Sequence, residues 1–123
     1  MGTCNALCLR CAQRHCRSGT SAEDETCVVL EDTLEFRANG RTVSAPAGTV
    51  IHVPRGTVHS YATVGTAPVR LLFLYAPAGM ERMFGEIGTP AQPGMPAPPL
   101  TPEDVARLLS VAAKYQFEVA APE

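Results

Sequence analysis

Gly48-Thr-Val-Ile-His-Val-Pro-Arg-Gly-Thr-Val-His59 decides the fold, because it reads as turn, strand, turn, strand in quick succession. Gly48 closes one turn, and the β-branched run from Thr49 to Val53 predicts a short strand. Pro54-Arg55-Gly56 predicts a tight turn before Val58-His59-Ser60-Tyr61 resumes the extended pattern. Pro54 fixes its own φ and Gly56 permits a φ that other residues resist, so the backbone entering His59 is held in one geometry. An imidazole oriented in advance suits a metal ligand or a general base.

Turn signals recur at short intervals on either side. Thr26-Cys-Val-Val-Leu30 is apolar and β-branched, Glu31-Asp32-Thr33 breaks the pattern, and Leu34-Glu-Phe-Arg-Ala38 alternates with period two. Asn39-Gly40 is a strong hairpin signal, with Arg41 to Ala45 as the returning strand. After Gly65-Thr-Ala-Pro68, the apolar run Val69 to Tyr75 predicts a strand buried on both faces. Such spacing indicates an all-β sandwich or barrel. Beyond it, Met80 to Ile87 predicts a short helix with Met83, Phe84 and Ile87 on one side, and Gly88 to Leu100 is a Pro/Gly-rich strap. Thr101-Pro102-Glu103-Asp104 is a helix start, and the helix is expected to run to about Tyr115 with Val105, Leu108, Leu109 and Ala112 as its apolar stripe. Phe117-Glu-Val119 is a candidate edge strand.

Composition bounds the possibilities. A chain of 123 residues holds one core, and a net charge of -2 with no basic run argues against nucleic-acid binding. No apolar stretch approaches a membrane span, and the first residues interleave Leu7, Leu9 and Ala12 with Arg10, Gln13 and Arg14, unlike a signal peptide. A cytoplasmic location without membrane or nucleic-acid partners is the expectation. The five cysteines, crowded mostly before residue 17, do not resemble a disulfide framework spread through a fold.

Residues 1–22 stand apart. Cys4, Cys8, Cys11, His15 and Cys16 have the density of a thiol-metal site, and zinc would suit three thiolates with His15. The same cysteine spacing resembles the cluster motif of radical enzymes that use S-adenosylmethionine, but those need a large α/β barrel that this chain cannot supply. The plainer reading, adopted here, is a poorly ordered leader with free thiols.

The spacing Gly48-x5-Pro54-x-Gly56-x2-His59 resembles the second motif of the cupins, with Thr63 where that motif usually has Asn. The resemblance implies a double-stranded β-helix, or jelly-roll, barrel over residues 23–87, the strap over 88–100, and a C-terminal helix and tail over 101–123 packing on the barrel or on a second subunit. It also implies a metal held by His59 with two His and a Glu from an earlier motif. Glu25 falls where that carboxylate belongs. The two His positions fall on Ser18 and Thr20, or on Gly19 and Ser21 in the shorter spacing, so neither histidine is present.

Candidate metal ligands are therefore His59, Glu25 and, as a surrogate, His15, with Cys16 or Cys27 as soft donors for a divalent iron, manganese, nickel, copper or zinc ion. His52 has no place in the motif and reads as structural. Cys27 also fits a small buried hydrophobe. The functional expectation is a small cupin barrel that binds a small molecule in an apolar interior lined by residues from 28–34, 50–53 and 72–75, with His59 at one end. Alternatives are a metal-dependent enzyme, dioxygenase- or isomerase-like, and a leader acting as a Cys/His zinc element. The short N-terminal half leaves open sheet edges, and a homodimer is expected to cover them.

Overall fold

A computed structural model of the chain describes residues 17–96 and 98–120. The strands are β1 (Arg17–Thr20), β2 (Asp24–Glu31), β3 (Thr33–Ala38), β4 (Arg41–Pro46), β5 (Val50–Val53), β6 (His59–Thr63), β7 (Arg70–Ala76) and β8 (Phe117–Ala120). Between β7 and β8 come helices α1 (Met80–Ile87) and α2 (Pro102–Ala112), the latter continued by a 3₁₀ turn, Ala113–Tyr115. The strands form two antiparallel sheets, ordered β4-β3-β6-β1-β8 and β5-β2-β7. Cys27 and Val29 of one sheet meet Leu34 and Ala45 of the other in the core. The all-β barrel with short C-terminal helices expected from the turn spacing is the observed architecture.

Local chemistry explains most of the elements. Alternation along β2 buries Glu25, Cys27 and Val29 and turns Thr26 and Val28 away from the core. Asn39 and Gly40 both have positive φ, 52° and 72°, as a two-residue hairpin between paired Ala38 and Arg41 requires. Thr101 caps α2 in a capping box, its hydroxyl accepting from the Asp104 N–H while the Asp104 carboxylate accepts from the Thr101 N–H. In α1, Met80 and Met83 are the buried residues. Of the α2 stripe only Ala112 is buried, while Val105 and Leu109 are exposed.

The barrel begins earlier than the sequence suggested. β1 lies inside the stretch assigned to the leader and sits between β6 and β8, pairing Ser18 with His59 on one side and Arg17–Thr20 with Phe117–Ala120 on the other. Ser18 and Gly19 have little β propensity, so the strand is fixed by its neighbours. A Cβ on Gly19 would stand 2.7 Å from the Thr57 carbonyl oxygen, so only glycine lets these backbones approach so closely. The candidate strand at the C-terminus is β8, which forms the edge of the larger sheet beside β1.

Candidate functional site

Two strands from opposite sheets bring the site together. Glu25 points inward from β2, and His59 opens β6 after a turn in which Thr57 N–H donates to the Pro54 carbonyl at 3.2 Å and Gly56 N–H to the Thr20 carbonyl at 2.7 Å. His59 Nε2 lies 3.1 Å from Glu25 Oε2, with side chains only 5% and 6% exposed. Tyr61, two residues along β6 and hence on the same face, donates its hydroxyl to Glu25 Oε1 at 2.7 Å. His59 Nδ1 lies 2.9 Å from the Thr57 carbonyl oxygen. A carbonyl and a carboxylate can only accept, so both ring nitrogens are placed to donate and the imidazolium form is fully satisfied. Burial alone lowers the His59 pKa, but the Glu25 hydrogen bond and charge, with the Thr57 carbonyl, outweigh it and hold the imidazole above its ordinary range.

Aromatic rings fill the space around this pair. Phe36, His59 and Tyr61 are mutual neighbours with centroids 5.1 to 5.9 Å apart, and the series continues through Phe73 and Tyr75 to Phe84. The Tyr61 phenol is raised well above its usual pKa by burial and by the charge of Glu25, so it stays protonated and donates to Glu25. Cys27 is fully buried, and burial, with Glu25 nearby, pushes its thiol up to about 12. It is a core residue and a poor source of thiolate.

Of the three candidate ligands, Glu25 and His59 are brought together in the structure. Among the described residues no group of three or more His, Cys, Asp or Glu side chains could hold a metal ion. The polar atoms of Glu25 and His59 all have partners: Nε2 and Oε2 face each other, Nδ1 faces the Thr57 carbonyl, and Oε1 accepts from Tyr61. The register of Ser18 opposite His59 favours Ser18 and Thr20 as the positions of the missing ligands over Gly19 and Ser21, because Gly19 abuts the Thr57 backbone and Ser21 is exposed. Both positions carry hydroxyls, and Thr20 donates to the buried Glu23. His15, Cys16 and the zinc-like cluster before them lie outside the described residues. His52 is exposed on β5 with Nδ1 3.4 Å from Thr26 Oγ1, away from the buried pair.

Tyr61 was missed in the sequence, although period two from His59 places it on the same face. Part of the expected interior is filled, because Ile51, Tyr61, Leu71 and Phe73 pack into the core. A cleft of about 490 Å³ opens beside β4 and β5, bounded by Phe36, Arg41, Val43, His52 and Thr57 among others. A smaller one, about 230 Å³, lies between the Thr20–Ser21 and Gln116–Glu118 segments.

A family model described as a cupin domain matches residues 15–75. Among solved structures, "The structure of KdgF from Halomonas sp." is similar with a TM-score of 0.47 and 14% sequence identity, over 56% of this chain and 64% of that one. No curated protein sequence matches. Among the described residues no helix is long and apolar enough to cross a membrane.

Proposed function

Starting from a chain that belongs to the cupin superfamily, we propose that it binds a small organic molecule in the cleft beside β4 and β5, above the buried Glu25–His59–Tyr61 network. One observation carries this reading. Two residues that line the cleft, Phe36 and Thr57, also touch His59, the first with its ring at 5.9 Å and the second with its carbonyl at 2.9 Å. Phe36 and Thr57 link the network to the cleft, and the apolar side chains of Phe36 and Val43 supply the surface a ligand would bury. Saturation-transfer NMR with a library of small aromatic and heterocyclic fragments tests the proposal. Fragments that bind the wild type and are lost in Val43→Trp, which fills the cleft from an exposed position, support it. Fragments that bind both proteins equally place the binding site elsewhere.

A divalent metal is the second reading, favoured by the convergence of Glu25 and His59 on opposite sheets. It requires the Glu25–His59 bond to open and His15, or a neighbouring cysteine, to complete the donor set. Elemental analysis of protein purified without chelator or histidine tag tests it. Near one equivalent of metal that disappears in both His59→Ala and His15→Ala supports the metal reading.

We also propose a homodimer. The outer face of the three-stranded sheet aligns Val50, Val28 and Leu72 in register, beside Leu74, and Val50, Leu74 and Leu30 are exposed. Light scattering at micromolar concentration showing twice the chain mass, reduced to one in Val50→Lys, is the expected result.

A further inference from the structure

The cleft beside β4 and β5 is electrostatically one-sided. Those two strands are edges of their respective sheets, and Arg41 stands at the rim as the first residue of β4. Among the described residues no carboxylate lines the cleft, although the chain carries more acids than bases. Several cations elsewhere are matched locally. Arg37 holds Glu35, Arg55 holds Asp24, Arg70 holds Glu31, and Lys114 holds Glu86. Arg41 has no such partner among the described residues, and Asn39 and His52 line the same cleft. Beside Arg41, two residues along β4, Val43 and its cross-strand partner Phe36 supply the apolar part of the lining.

Resting on the small-molecule reading above, we infer that the occupant of this cleft is an organic carboxylate with an apolar body. A guanidinium presents two parallel N–H groups that match the two oxygens of a carboxylate. A phosphate dianion is served less well, because the lining holds one guanidinium and no lysine. An exposed arginine gives little affinity by itself, so the carboxylate sets orientation and the apolar body on Phe36 and Val43 supplies most of the binding.

Phenylacetate and phenylacetamide, which share a ring and differ in charge, separate the two contributions. Each is titrated into the ¹⁵N-labelled full chain at low salt, with amide shifts followed in wild type, Arg41→Gln and Arg41→Lys. Arg41 is exposed, so both variants keep the barrel. Expected are shifts confined to the Asn39–Val43 and His52–Thr57 segments, with phenylacetate about ten-fold tighter than the amide. Arg41→Gln removes that preference and Arg41→Lys restores part of it. Equal binding of the two probes, or a preference that survives Arg41→Gln, overturns the carboxylate inference and leaves the cleft as a binding site. Shifts from neither probe, or only elsewhere, overturn both.

Discussion

Asp24 and Glu25 are neighbours on β2, each paired with a cation, yet they occupy opposite environments. Asp24 Oδ1 meets Arg55 Nε at 3.2 Å with side chains 38% and 52% exposed, whereas Glu25 meets His59 at 3.1 Å with side chains almost fully covered. The period-two geometry of a strand produces the difference, turning one carboxylate to solvent and its neighbour into the barrel. Water and salt screen the first pair, and little rests on it. The second has lost its water and depends on its partners, because a buried charge left alone costs far more than the pair contributes.

Breaking the buried pair is the most severe test of this contrast. His59→Ala leaves Glu25 without its cation and is expected to destabilise the fold by roughly 3–5 kcal/mol in urea denaturation. Replacing both partners with apolar residues, Glu25→Met with His59→Leu, is expected to recover most of that loss. If the double variant is as unstable as the single one, the buried charge is not the cause. Tyr61→Phe removes one hydrogen bond to Glu25 Oε1 and should cost about 1–3 kcal/mol.

The pH dependence sharpens the same point. Because the folded His59 pKa is raised, its contribution is fully present below the ordinary imidazole value of 6.5 and is lost as pH rises through the folded value. The denaturation midpoint of the wild type is therefore expected to fall over that rise, and the corresponding fall is absent in His59→Gln. The smallest effect belongs to the exposed pair. In Arg55→Ala the Asp24 carboxyl loses the guanidinium that lowers its pKa, but no resolvable change in the denaturation midpoint is expected.

The features legible in the sequence are those fixed by local chemistry. The Asn39-Gly40 hairpin, the Thr101 cap and the turn into His59 each follow from a few adjacent residues whose backbone preferences agree. β1 was not legible, because Ser18 and Gly19 become a strand only through pairing with β6 and β8. Glu25 and His59 could each be singled out, but the bond between them spans two sheets and 34 positions of chain, which no periodicity reveals. The position of the cleft was not legible for a related reason. Apolar strand residues mark where a core is, whereas the space left over depends on how Tyr61, Phe73 and their neighbours fill it.

The most direct test is the long-range ¹H–¹⁵N spectrum of the His59 ring at pH 6, recorded before and after treatment with EDTA and assigned with His59→Gln. Two protonated nitrogens, unchanged by the chelator, are expected if Nδ1 donates to Thr57 and Nε2 to Glu25. A neutral ring with a bare Nε2, or a signal that moves when chelator is added, would contradict the buried ion pair and return the barrel to a metal-binding reading.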